Sequence, residues 1–220
     1  MRSIRKRKLL GALLLVGFAV TLVTTFGLVV LHDEILKSTF QQHDHAIQAW
    51  VHTFTRPSLT ILMRTLTFIG SPFMLAPSVA LAAALLWYTR QKDDAVLVAA
   101  AALGGIVIDE GLKLHFKRLR PDVPWAFIHE HSFSFPSGHS VLAIVMYGII
   151  VYKTQDKLHP RWAKATLMIA AFLMVIGIGL SRVYLGVHYP SDVLGGYFVG
   201  AVWLAAVIAS DLWVDSQTAP

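Results

Sequence analysis

The 220-residue sequence contains no cysteine, so neither a disulfide framework nor a thiolate metal site contributes to this protein. That absence does not fix a compartment. Charge is also scarce: Asp, Glu, Lys and Arg make up 15% of the chain against 55% hydrophobic residues. Soluble domains carry about 25% charge, and the mean hydropathy of +0.60 lies on the apolar side of them. Internal repeats and a composition break that would mark a domain boundary are absent too, so residues 1–220 read as one domain.

What the chain does have is a series of long uncharged stretches, the signature of several membrane spans. Its net charge is +6 and its pI about 9.7. A nucleic-acid partner would require an exposed basic face. Here the basic residues sit at the ends of apolar segments, so no nucleic-acid partner is expected. They read instead as topology signals and as ligands for anionic groups.

The basic run Arg2, Arg5, Lys6, Arg7 and Lys8 precedes an uncharged stretch over 9–31. A signal peptide would have an apolar region of roughly 7–15 residues followed by a small-residue cleavage site. This stretch is longer and leads into His32, Asp33 and Glu34, so an uncleaved first transmembrane helix is expected. Over 33–57, Ala46, Trp50 and Phe54 recur at four-residue spacing beside Asp44, His45 and His52, which suggests a short amphipathic helix at the interface, with an ordinary loop as the alternative. The stretch 58–89 is too long for one straight span of about 20 residues. It predicts a helix kinked or broken at Gly70, Ser71 and Pro72.

Further spans are predicted over 95–112, 138–152, 165–180 and 191–213, giving an all-α bundle of six transmembrane helices. With a cytoplasmic N-terminus, that side receives the N-terminal run together with Arg90, Lys92, Lys153, Lys157, Arg161 and Lys164. The C-terminus falls on the same side. The opposite side receives Lys37, Arg56, Arg182 and a dense cluster at 113–120, whose cations call for a chemical explanation.

Three segments meet at that face: Lys113 through Arg120 and Pro121, then Pro136-Ser137-Gly138-His139, then Ser181-Arg182 with His188 and Asp192. Lys113, Arg120 and Arg182 are cations where lipid would penalise them, which implies a compensating anion. Arginine offers a planar fork for phosphate oxygens and lysine a point charge. Ser137 and Gly138 open a helix whose free N–H groups favour an anion. His188 and Asp192 are four residues apart and within reach on a helical turn.

This set can run a two-step phosphoryl transfer. His188 attacks phosphorus as the nucleophile, and Asp192 accepts from the other ring nitrogen and fixes its tautomer. His139 protonates the leaving alcohol and then activates water. Lys113, Arg120, Arg182, Ser137 and the Gly138 amide hold the spreading negative charge. With three fixed cations, no divalent metal or other cofactor is required.

The three segments resemble the motifs of the type 2 phosphatidic acid phosphatase superfamily: a Lys, six residues and Arg-Pro; Pro-Ser-Gly-His; and Ser-Arg, five residues, His, three residues, Asp. Lys113 to Pro121, Pro136 to His139 and Ser181 to Asp192 match at every motif position. The resemblance implies a metal-independent lipid phosphatase in a bacterial cell membrane, its site facing away from the cytoplasm and its substrate a membrane lipid phosphate. Bacterial members act on phosphatidylglycerol phosphate, undecaprenyl pyrophosphate and phosphatidic acid. Phosphatidylglycerol phosphate is the expected substrate here and undecaprenyl pyrophosphate the alternative, since the motifs read the phosphate and not the tail. The related vanadium haloperoxidases share the motifs but are soluble. A non-catalytic transporter or lipid-binding protein would be expected to lack one of the two histidines. Oligomeric state is not readable.

Other residues carry less specific signals. Lys117 and Arg118 lie between the defined positions of the first motif and are expected to contact solvent or headgroups. For Asp109 two readings stay open, an ion pair that orients Lys113 or a position facing headgroup water. His129-Glu130-His131 is a weak metal signal, because no further ligand is placed by spacing. Gly177 and Gly179 suit close helix packing, and Trp87, Trp203 and Trp213 suit packing or interfacial anchoring.

Overall fold

In the computed structural model, residues 2–218 are described, with side chains for 9–27 and 41–217. The described residues form helices α1 (Arg2–His52), α2 (Pro57–Ile69), α3 (Pro72–Tyr88), α4 (Lys92–Phe116), α5 (Gly138–Thr154), α6 (Arg161–Tyr184) and α7 (Pro190–Thr218), with one 3-10 turn at Gln155–Lys157. The side chains of the N-terminal basic run and of Lys37 lie outside the described residues.

Four segments are long and apolar enough to cross a membrane: Leu9–Gly27, Lys92–Phe116, Arg161–Tyr184 and Pro190–Gln217. The pair α2 and α3, bent by 43°, makes a fifth as one broken span. The break falls at the expected punctuation. Gly70 closes α2, and Ser71 caps α3 by accepting from the Met74 N–H, with Pro72 in the first turn where its missing N–H costs nothing. At 17 residues, α5 is the shortest of the central helices.

The segment 33–57 differs from its expectation. No Gly or Pro interrupts residues 28–52, so nothing stops the helix, and α1 continues unbroken to His52. The apolar stripe lies outward, as the expected amphipathic pattern would place it at an interface. Trp50 and Phe54 are exposed, while Asp44 and Gln48 are buried against the rest of the chain.

Helix α7 packs most extensively, against α1 on one side and α5 on the other, and α5 also meets α4 and α6. The core between them is built from Ile108 and Leu112 of α4, Val141, Val145 and Ile149 of α5, and Val199, Trp203 and Val207 of α7. Trp203 is a packing residue whose buried indole N–H donates to the Ala101 carbonyl at 2.8 Å. At the end of the bundle holding the α4 N-terminus, Lys153 bridges Asp94 at 2.8 Å and Asp211 at 2.5 Å, and the Tyr152 hydroxyl donates to Asp211 at 2.9 Å. Three helices are thereby tied by charge at that end.

The α5–α7 crossing depends on small residues. Gly196 and Gly200, four apart on α7, let its backbone lie against the start of α5. A methyl at Gly196 would stand 2.6 Å from the Ser137 carbonyl oxygen, and one at Gly200 2.8 Å from that of Val141. Those neighbours are backbone and cannot rotate away. Gly196→Ala is therefore expected to destabilise the bundle by about 1–3 kcal/mol, read as a lower melting midpoint in detergent. Gly11→Ala, where the methyl meets nothing within 4 Å, should not lower it. Equal midpoints for the two variants would contradict this account of the crossing.

Candidate active site

All three segments singled out in the sequence reach one end of the bundle. Helix α4 ends at Phe116, and Lys117 takes a left-handed conformation, φ 47°, at its C-cap. This turns the chain back over the helix end, so Arg118 and Arg120 face inward. The returning loop is pinned by Ser134, whose N–H donates to the Arg118 carbonyl at 2.8 Å and whose hydroxyl donates to that of Leu119 at 3.1 Å.

The third motif is joined to the second through backbone. The Ser137 N–H donates to the Asp192 carbonyl oxygen at 3.0 Å. Asp192 occupies the first turn of α7, and its Oδ2 accepts from the Tyr189 N–H at 2.9 Å, the reciprocal half of a helix cap. That bond orients the carboxylate toward His188, whose Nδ1 lies 3.4 Å from the same oxygen. Both side chains are buried, at 1% and 0% exposure.

The other ring nitrogen of His188 fixes the tautomer. Arg120 Nη1 lies 3.1 Å from Nε2, and a guanidinium can only donate. Nε2 is therefore the lone-pair nitrogen, which leaves the proton on Nδ1. That nitrogen faces Asp192 at 3.4 Å but closes no hydrogen bond to it, so the expected bond is only an approach here. Burial, followed by the charges of Arg182 and Arg120, pushes the imidazole pKa well below its usual value. A neutral ring with its lone pair turned toward the Arg120 guanidinium is the form a nucleophile needs.

Arg182 is 1% exposed. Its Nη1 donates to the Thr67 hydroxyl of α2 at 2.6 Å, and its Nη2 is held by Glu130. The other oxygen of Glu130 lies 2.7 Å from Arg120 Nη2. One loop carboxylate thus bridges the two arginines expected to hold an anion. Burial pushes this carboxyl up, but Arg182 and Arg120 outweigh it and hold the pKa at about 2.

Lys113 pairs with Asp109 at 2.6 Å and with Glu110 at 3.2 Å, so of the two readings of Asp109 the orienting ion pair is the one observed. The pair lies against the start of α5. A methyl on Gly138 would stand 2.4 Å from Asp109 Oδ2 and 3.1 Å from Lys113 Nζ, so only glycine lets the ammonium approach this helix N-terminus. The Ser137 hydroxyl and Arg182 Nε are buried without a hydrogen-bond partner in the protein. His139 is half-buried and lines, with Arg182 and Glu130, a cavity of about 580 Å³ that opens toward the α2–α3 break.

Arg118 departs from expectation. Instead of meeting solvent or headgroups, it donates to Asp192 Oδ1 at 2.5 Å, the Ser191 hydroxyl at 2.7 Å and Asp44 Oδ2 at 2.7 Å, with its guanidinium 4.3 Å from the Tyr189 ring centre. Asp44 also accepts from the Ser191 N–H at 2.9 Å, and Gln48 donates to the His188 carbonyl at 3.4 Å. Helix α1 therefore reaches into the site, which no local pattern disclosed. Among the described residues no three His, Asp or Glu side chains converge to hold a metal, and His129 and His131 form no such group.

The family model described as the PAP2 superfamily matches residues 93–214, a range that contains all three segments. Over 173 residues the chain is 34% identical to phosphatidylglycerophosphatase B of Bacillus subtilis (strain 168), covering 78% of this chain and 84% of that protein. It is 29% identical over 153 residues to the undecaprenyl-diphosphatase of Sulfolobus acidocaldarius, covering 67% of this chain and 68% of the relative. The fold is similar to the crystal structure of a transmembrane PAP2 type phosphatidylglycerolphosphate phosphatase from Bacillus subtilis. The TM-score is 0.76 at 31% identity, over 88% of this chain and 96% of that one. Together with the apolar helices, these likenesses make the chain a multi-pass membrane protein.

Glu130 sits where an incoming anion would have to bind. Glu130→Gln keeps the shape and removes the competing charge, so inorganic phosphate should bind roughly tenfold more tightly, as read by calorimetry on detergent-solubilised protein. Unchanged or weaker binding would show that the carboxylate does not compete with phosphate.

Proposed function

Because the chain belongs to the PAP2 superfamily, we propose that it is an integral membrane lipid phosphatase that hydrolyses phosphatidylglycerol phosphate to phosphatidylglycerol. The observation that carries this reading is the disposition of His188, with Nδ1 facing Asp192 and the Nε2 lone pair facing Arg120. Attack by Nε2 forms a nitrogen–phosphorus bond as the bond to the lipid alcohol breaks, and His139 supplies the proton that the alcohol takes. Water, losing its proton to His139, then cleaves the phosphohistidine and frees phosphate. Arg120, Arg182, Lys113, the Ser137 hydroxyl and the Gly138 N–H hold the phosphoryl oxygens through both steps. None of these steps draws on a metal. Undecaprenyl pyrophosphate is the second reading, favoured by the identity to an undecaprenyl-diphosphatase.

We place residues 1–220 in a single domain with six crossings, counting α5 with the four apolar helices and the broken pair. The assignment sets both termini on the cytoplasmic side of a bacterial cell membrane and the site on the outer side. Arg90, Lys157, Arg161 and Lys164 at the opposite end of the bundle support it. The lipid then reaches the site sideways through the cavity between α2, α3 and the loop, where Phe68, Phe73 and Phe127 offer apolar walls. Since the chain has no cysteine, a single cysteine placed at Gln155 reports the orientation. An impermeant thiol reagent should not reach it in intact cells, and labelling from outside would reverse the topology.

Phosphate release from phosphatidylglycerol phosphate and undecaprenyl pyrophosphate is expected to persist in EDTA. It should fall at least a thousandfold in His188→Ala. A short water-soluble phosphate ester should be turned over far less efficiently than either lipid, and equal efficiency would remove the lateral route. The free enzyme must hold His188 neutral, and its pKa lies well below the ordinary imidazole value of about 6.5. As pH falls, kcat/KM should therefore survive passage through 6.5 and decline only below it. An acid limb at or above 6.5, or release that survives loss of His188, would overturn the nucleophile assignment.

A further inference from the structure

One cation in the cavity wall is used by none of the steps above. Arg64 lies on α2, three residues before Thr67, whose hydroxyl is held by Arg182 at 2.6 Å. Residues three apart on a helix share a face, with about 5–6 Å between their Cβ atoms. Arg64 therefore stands one turn from a direct partner of Arg182, and it lines the same cavity as that arginine and His139. Lys113, Arg118, Arg120 and Arg182 each pair with a carboxylate. Among the described residues Arg64 has only a long contact, from Nη2 to the Phe127 carbonyl at 3.5 Å. Arg64 is exposed at the cavity mouth, where a guanidinium beside Phe68, Phe73 and Phe127 at the edge of a membrane-spanning segment favours an anion next to it.

We propose that Arg64 forms a second anion subsite, which holds a further phosphate of the substrate while the scissile phosphate occupies Arg120 and Arg182. The ligand chemistry is a phosphate oxyanion joined to the scissile phosphate on its lipid side, either directly as in a diphosphate or through a short polyol as in a phosphodiester. The arginine fork suits two oxygens of such a group, and Arg64 lines the same cavity as Arg182 and His139. The subsite selects lipids bearing two phosphates over lipids bearing one. It rests on the phosphatase reading and adds to it the class of headgroup preferred.

The test compares kcat/KM for lipid pairs with the same tail: phosphatidylglycerol phosphate against phosphatidic acid, and undecaprenyl diphosphate against undecaprenyl monophosphate. The wild-type protein should prefer the two-phosphate member of at least one pair by more than about tenfold. Arg64→Gln should shrink that preference roughly tenfold, toward no preference, the loss expected for one charge-assisted contact. The pair that responds identifies whether the second phosphate is a phosphodiester or the inner phosphate of a diphosphate. If Arg64 merely reaches the bulk headgroups, both members of each pair change together and the ratio stays put, which overturns the subsite. A wild-type protein with no preference in either pair overturns it as well, whatever the variant's folding. Failure of all four lipids to release phosphate would instead break the phosphatase reading itself.

Discussion

The site depends on the mutual compensation of charges that the membrane end of the bundle would otherwise reject. Arg182 and Asp192 are almost wholly buried, and Arg118, Arg120 and Lys113 are mostly so. Removing such groups from water costs several kcal/mol each unless a partner stands within hydrogen-bonding distance. Each cation has one, and the partners come from different parts of the chain: Asp109 from the same helix as Lys113, Asp44 from α1, Asp192 from α7 and Glu130 from the loop. Charge balance therefore does what an apolar core does elsewhere. It brings α1, α4, α6 and α7 to one place and fixes their side chains. The orientation of Asp192 toward His188 follows from this network, since Arg118 takes one carboxylate oxygen and the Tyr189 N–H takes the other.

The pairs are not equivalent. Asp44, Asp109 and Asp192 have side chains 3%, 7% and 0% exposed, whereas that of Glu130 is 31% exposed and sits on a loop. A buried aspartate cannot leave its arginine without stranding both charges. Glu130 can turn toward water, because its side chain is already partly exposed and an ordinary carboxylate stays ionised there at neutral pH. Glu110, beside Lys113, is more exposed still, but of the carboxylates bound to the arginines Glu130 is the accessible one, which an incoming anion could replace with the arginines never left unpaired. A structural clamp and an anion-binding site are thus built from the same chemistry, and only the accessibility of the carboxylate separates them.

Much of this was legible from residue types and spacing. That Lys113, Arg120, Ser137, Gly138, His139, Arg182, His188 and Asp192 gather at one end of the bundle was legible because each lies at or near a helix end, where local sequence fixes position. The break at Gly70 was legible for the same reason, since Ser71 and Pro72 are local signals. Arg118 was not, because its partner Asp44 lies 74 residues away and no periodicity links them. The distal part of α1 was expected as a separate short interfacial helix or a loop, and its continuity with the first span was not foreseen. Its apolar residues Trp50 and Phe54 point out, as on an interfacial helix, while Asp44 and Gln48 point in. The buried polar pair, four residues apart, was the available signal.

The two ends of the bundle also divide the labour of rigidity and access. Away from the site, Lys153, Asp94, Asp211 and Tyr152 lock α4, α5 and α7 together, and Gly196 and Gly200 bring α5 and α7 into backbone contact. Those three helices carry Lys113, His139 and Asp192, so the groups proposed to react ride on the best-fastened part of the fold. Helices α2 and α3 contain no buried residue at all, and the cavity opens on their side. Few buried apolar contacts mean a low cost of local displacement. In the proposed mechanism a lipid tail can therefore be accommodated beside α2 and α3 without disturbing the distance between His188 and Asp192, the geometry on which that mechanism depends.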